Sequence, residues 1–309
     1  MELPLIVGVD GSESSLQAVD WAADEAARRH LPLRLVHASR WESYESAAFA
    51  YDFAGATRLS VAERTVTVAA ARATARQPGV KVATAVLPED AESALLHEAH
   101  GAAALITGSR GLGPFAELLL GSVSLAVAAR AVCPVVVVRG DKANRDGLHG
   151  KVLVGVKAAT PDQASLRFAL DQARTRACTL QAVTAWRSPA PDPRLLPSAS
   201  DRFSRTYEQQ AAARLDDALH AAADHPGLRV DRTTVEGPAH KVLRDLTATA
   251  DLLVLGAHHR RNPLGLQLGA TAHALLHHAH CPVVVVPHTA PPATTTAFTT
   301  TTARHEEFS

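Results

Sequence analysis

Short apolar runs alternate along this chain with longer stretches in which hydrophobic residues recur every three or four positions. Leu5–Val9 is the first run, and it ends in Asp10-Gly11-Ser12. Continuous apolar runs of this length suit strands covered on both faces of a parallel sheet. Glu13–Arg29 follows, with Leu16, Val19, Ala23 and Ala26 at helical spacing and Ser12 or Gly11 able to cap its start. The same pattern predicts strands over Leu33–Ala38, Val80–Leu87, Ala103–Thr107 and Val135–Val138. It predicts helices over Leu59–Arg76, Ala91–His100 and Ser122–Ala131, and a loop from Ser39 to Thr57 holding Trp41, Tyr44, Phe49, Tyr51 and Phe53. Strands alternating with helices imply an α/β fold with parallel pairing and right-handed crossovers. Such sheets bind ligands at the carboxyl ends of strands, where the strand order reverses. Asp10 ends the first strand and Gly108 the fourth, so the two face one pocket if those strands are neighbours.

The pattern then restarts. Gly140–Gly150 is polar and glycine-punctuated and reads as a linker. Lys151–Val156 matches Leu5–Val9. Helices are predicted over Ala164–Arg174, Ser204–Asp224 and Ala239–Thr249, and strands over Leu180–Ala185, Leu228–Val235 and Asp251–Leu255, with a Pro-rich loop over Trp186–Pro197. The Cys-Pro-Val-Val-Val-Val run at Cys133 returns at Cys281, 148 positions later, and Gly108 to Gly256 and Gly121 to Gly269 span the same interval. A fixed interval of this kind marks an internal duplication. The expected organisation is a domain over 1–140, a linker over 141–150, a second domain over 151–287 and a disordered Thr/Ala/Pro tail over 288–309. Val135–Val138 and Val283–Val286 read as edge strands through which the repeats pair within one chain, as a pseudo-dimer, with a homodimer as a further step.

Composition narrows the function classes. The 309 residues suit two domains, and a hydrophobic share of 47% supports ordinary cores. Lys plus Arg equals Asp plus Glu, 31 each, which gives no electrostatic case for nucleic acid or an anionic membrane as partner. Cys133, Cys178 and Cys281 form no C-x-x-C pair, which points to a reducing compartment, and Cys133 and Cys281 beside valines read as buried thiols. The start of the chain lacks the basic region of a signal peptide, and no apolar run reaches the ~18 residues of a membrane helix. A soluble, cytoplasmic protein is expected.

The chemistry gathers in Gly108–Ser122. Glycines between a strand and a helix bring backbone N–H groups close to an anion. Here Gly108, Gly111, Gly121 and Ser122 are the fixed points. No G-x-x-x-x-G-K-[ST] occurs, and the stretch follows the fourth strand rather than the first, so neither a Walker loop nor a dinucleotide fingerprint fits. The reading is a phosphate cradle without a lysine; the alternative is a glycine-rich loop that only turns the chain. His273, His277 and His280 fall at i, i+4 and i+7 of the last helix, where polar histidines on an amphipathic helix are the preferred reading over metal ligation.

These residues resemble the universal stress proteins in tandem form. The family motif G-x2-G-x9-G-[ST] matches at Gly108, Gly111, Gly121 and Ser122, the aspartate after the first strand matches at Asp10, and the resemblance spans about residues 3–287. It implies two five-stranded parallel doubly wound sheets of order 3-2-1-4-5, adenine nucleotide alpha hydrolase-like, with ATP as cofactor alongside Mg²⁺. The implied cofactor contacts are Asp10, Gly11, His37, Ala38, Gly108, Arg110, Gly111, Gly121, Ser122 and Val123. Asp10 would accept hydrogen bonds from adenosine, His37 or Ala38 would border the base, and the glycines and helix start would take the phosphates. The function implied is regulatory, in a stress or dormancy response, through nucleotide-dependent conformation or partner binding. A slow ATPase or phosphotransferase, with Glu117 as the single acid in the glycine stretch, and a nucleotide-free scaffold are the alternatives; a flavin- or AMP-binding electron-transfer subunit shares the fold class. In the second repeat Lys157 replaces Asp10, His259 replaces Gly111 and Ala270 replaces Ser122. That repeat is expected to bind ATP weakly or not at all, or another anion through Lys157, His258, His259 and Arg260.

Overall fold

The structure, a computed structural model, describes residues 2–39, 52–110, 120–157, 162–188, 197–222, 227–257 and 268–287. In the first repeat the order is β1 (Leu5–Gly8), α1 (Glu13–Arg29), β2 (Leu33–Ala38), α2 (Asp52–Arg76), β3 (Val82–Leu87), α3 (Ala91–Glu98), β4 (Ala104–Gly108), α4 (Ser122–Arg130) and β5 (Val135–Val138). A short helix α5 (Lys142–Arg145) leads into β6 (Lys151–Gly155), α6 (Gln163–Thr175), β7 (Thr179–Trp186), α7 (Pro197–Ala222), β8 (Val230–Glu236), α8 (Ala239–Leu246), β9 (Leu252–Ala257), α9 (Ala270–His278) and β10 (Val283–Pro287).

Local chemistry sets the ends of these elements. Ser12 caps α1, its Oγ accepting the Ser15 N–H at 3.2 Å, and His30 stops the helix in the left-handed conformation. Asp90 caps α3 in the same way through Ser93. Helix α2 starts at Asp52, inside the segment expected to be a loop, while α3 gives way to a 3₁₀ turn before His100.

All ten strands form one sheet, in the order β3-β2-β1-β4-β5-β10-β9-β6-β7-β8. Every pairing is parallel except β5 with β10, which run antiparallel with Val137 opposite Val283 and Val135 opposite Val285. The expected order 3-2-1-4-5 is therefore present twice, and the two valine strands pair within the chain. Side chains alternate across the sheet: Val136, Val138, Val284 and Val286 enter the core under α1 and α6, and Val135, Val137, Val283 and Val285 enter the opposite one. Both cores run unbroken across the junction, so these strands are interior rather than edge.

The segment expected to be a linker is fastened down. Asp141 caps α5, and the buried Asn144 side chain donates to the carbonyls of Thr247 and Ala250 at 3.2 and 2.8 Å. Asp251, also buried, accepts the His149 and Lys151 N–H groups at 2.9 Å each. Among the described residues, no helix is long and apolar enough to cross a membrane.

Candidate functional site

β1 and β4 lie side by side, with Leu5 beside Ala104 and Val7 beside Ile106, while the chain from β1 continues to the other side through β2. This is the point where strand order reverses, and Asp10 and Gly108 emerge from it together. Gly11 has φ of +84°, a conformation that favours glycine and lets the chain turn from β1 into α1. Asp10 braces that turn: its Oδ1 accepts the Ser12 N–H at 2.9 Å and the Ser12 hydroxyl at 2.6 Å. His37 Nδ1 lies 2.8 Å from the Val9 carbonyl oxygen, so the ring ties the ends of β1 and β2. Ala38 closes β2 next to it, opposite Leu87.

The glycines of the cradle have different reasons. A β-carbon on Gly108 would lie 2.5 Å from Ser14 Oγ and 2.6 Å from the Ser14 carbonyl oxygen. The start of α1 alone is close enough to demand glycine at Gly108. The Ser14 hydroxyl also accepts the Arg110 N–H at 3.1 Å, and the buried Ser124 hydroxyl donates to the Gly108 carbonyl at 2.7 Å. These serines hold Gly108 and Arg110; no motif marks either role, and only Ser14 has a local signal, the Ser-Glu-Ser-Ser run at 12–15. Gly121 differs. Its φ of −60° and ψ of 141° suit any residue, and a β-carbon would meet nothing nearer than Ser124 Oγ at 3.7 Å among the described residues. It caps α4 without a side chain, its own N–H donating to the Ser109 carbonyl at 3.0 Å. The first intrahelical bond is from Leu125 to Gly121, so the N–H groups of Ser122, Val123 and Ser124 have no intrahelical acceptor. Ser122 is exposed at this helix start, Val123 packs its side chain into the core, and Arg110 is exposed alongside. Gly111 and Glu117 lie outside the described residues.

The second repeat keeps the frame and changes its contents. Thr184 takes the place of His37 and donates its hydroxyl to the Val156 carbonyl at 3.1 Å. Lys157 stands exposed where Asp10 stands in the first copy. A β-carbon on Gly256 would strike the side chain of Asp162, the residue that caps α6. Gly269 begins α9 without a side-chain cap, followed by Ala270 instead of a serine. His258, His259 and Arg260 lie outside the described residues.

The family model for the universal stress protein family matches residues 3–139 and 149–287. The chain belongs to that family. Two universal stress proteins of Mycobacterium tuberculosis are similar along nearly their whole length: one is 31% identical over 288 residues, covering 91% of this chain and 96% of the relative, the other 30% identical over 303 residues, covering 92% and 94%. Among solved structures, a universal stress protein from Archaeoglobus fulgidus is similar with a TM-score of 0.64 at 17% identity, covering 92% of this chain and 98% of that one. The two copies thus share the adenine nucleotide alpha hydrolase-like fold of universal stress proteins.

Histidines and cysteines of this universal stress protein lie apart from the cradle in sequence. Helix α9 ends at His278, so His280 leaves the face that His273 and His277 share; those two rings lie 4.7 Å apart, tilted by 36°, and among the described residues no three His, Cys, Asp or Glu side chains converge to hold a metal ion. Cys133 and Cys281 are buried, and burial pushes the Cys133 thiol up to about 12 and the Cys281 thiol higher still, which keeps both protonated.

Proposed function

We propose that this is an ATP-binding universal stress protein whose first repeat holds the nucleotide, and that occupancy alters its conformation or partner surface in a stress or dormancy response. The observation that carries the reading is Gly121: nothing in its backbone or its described surroundings demands glycine, yet a side chain there would stand over an uncapped helix start at the sheet's switch point. Exposed N–H donors and the positive end of a helix dipole favour phosphate. The triphosphate would lie against the N–H groups of Ser122, Val123 and Ser124, with the Ser122 hydroxyl and Arg110 beside it and Gly111 supplying a further position without a side chain. Asp10 Oδ2 and Gly11 would take the adenosine, with His37 and Ala38 bordering the base. Mg²⁺ would be held chiefly by phosphate oxygens and water, as is usual for this ion. Cytoplasmic residence and a homodimer belong to the same proposal, and cell fractionation and light scattering test them. Denaturing the purified protein and identifying released small molecules by mass spectrometry tests the nucleotide directly. An adenine nucleotide is expected; release of a flavin, or of nothing from protein that also gives no heat with ATP, overturns the reading.

A further inference from the structure

We propose that Arg139, just beyond β5, is a phosphate-affinity residue of the first repeat's site and links that site to helix α9 of the second repeat. The inference rests on the nucleotide reading above. β4 and β5 pair with Gly108 beside Val138, so Arg139 leaves the sheet next to Ser109, whose carbonyl holds Gly121, and one residue before Arg110. Its side chain crosses to the other copy. Nη1 donates to the carbonyl of Leu276 and, at 3.4 Å, to that of Leu275, in the last turn of α9. A cation there meets the negative end of the helix dipole.

That contact leaves the guanidinium short of partners. Among the described residues, Nε is buried without a hydrogen-bond partner, and no carboxylate pairs with Arg139 or Arg110. Burial, then the Arg110 charge, push Arg139 down to about 10. Two guanidinium groups therefore share the carboxyl ends of β4 and β5, one of them half-buried, and burying a cation without an anion is costly. A polyphosphate at the start of α4 would supply a counter-charge; adenosine alone would not. The second repeat has Pro287 at the matching position, so the device exists in one copy only. When phosphate draws the guanidinium, its hold on the α9 carbonyls weakens, and the second repeat registers occupancy of the first.

The test is calorimetric titration of the full chain with adenosine, AMP, ADP and ATP, in the native protein and in Arg139→Gln and Arg139→Lys, with hydrogen exchange read at the last turn of α9. Native affinity should climb with each phosphate. Arg139→Gln should lower ATP affinity about tenfold and leave adenosine unchanged, with Arg139→Lys recovering most of the loss. In the native chain, ATP but not adenosine should change exchange at Leu276–His280, a readout that needs no variant. Equal losses for adenosine and ATP, no loss for either, or an α9 insensitive to ATP would overturn the inference while leaving the nucleotide site intact. A native protein that binds none of the four ligands overturns both, and does so before any variant is made.

Discussion

The carboxyl ends of the two half-sheets share a frame and differ in what stands within it. His37 ties the Val9 carbonyl in one, Thr184 ties the Val156 carbonyl in the other, and both place a glycine against the start of the repeat's first helix, Gly108 under Ser14 and Gly256 under Asp162. Beyond this joinery the copies part. Asp10 and Ser122 have become Lys157 and Ala270, and Arg139 has become Pro287. The strand ties and the paired glycines are kept in kind after duplication, whereas Asp10, Ser122 and Arg139 are replaced by residues of opposite or no charge. A duplicated fold of this sort separates structure from chemistry within one chain.

The largest expected effect lies where the copies meet. Glu25 of α1 is 2% exposed, and its carboxylate accepts Arg176 at 2.7 Å, Gln172 at 2.8 Å and Arg28 at 3.0 Å, while the Arg176 guanidinium sits 5.4 Å over the Trp21 ring. The ion pair joins α1 of one copy to the end of α6 of the other. Removing one partner leaves a buried charge unpaired, so Arg176→Met should lower stability by about 3–5 kcal/mol in denaturant melts, and adding Glu25→Leu should restore much of that. Burial pushes the Glu25 carboxyl up, but Arg176, Gln172, Arg28 and Arg29 together outweigh it and hold it below the usual carboxylate range. Its stabilising contribution is therefore present above the unfolded carboxylate value and lost as pH falls through the depressed folded one; Glu25→Gln should flatten that acid limb of the stability profile.

Next come the paired glycines. Gly108→Ala sets a methyl against the backbone of Ser14 and should cost about 1–3 kcal/mol in thermal or chemical melts. Gly256→Ala meets the side chain of Asp162 first rather than backbone, and should cost less; equal costs would mean the two copies are joined alike. Gly121→Ala should leave melting nearly unchanged but weaken ATP by about tenfold, a loss of about 1.4 kcal/mol. The smallest effect is expected of His37→Thr, which installs the second copy's tie: a change within about 1 kcal/mol in stability, because one hydrogen bond to the Val9 carbonyl replaces another.

The order of strands and helices, the duplication and the pairing of the two valine strands were legible because each rests on periodicity or on a repeated run such as Cys133–Val138. Helix α2 begins seven residues before the periodicity shows it, since Gly55 and the aromatics around it break a 3.6-residue pattern, and α5 is four residues long, too short to show one. Gly11 and Gly121 could be marked from the motif, but the reason for Gly108 sits in Ser14, 94 positions earlier, and no local pattern records it. Arg139 was invisible for the same reason: its acceptors are backbone carbonyls 136 and 137 positions later, and any residue type supplies a carbonyl.

The central claim is that one copy takes a triphosphate at an uncapped helix start and the other does not. Calorimetric titration of the full chain with ATP tests it, alongside Gly121→Val and Gly269→Val. One ATP per chain is predicted, lost in Gly121→Val and retained in Gly269→Val; two equivalent sites, or a single site that survives Gly121→Val, would contradict it.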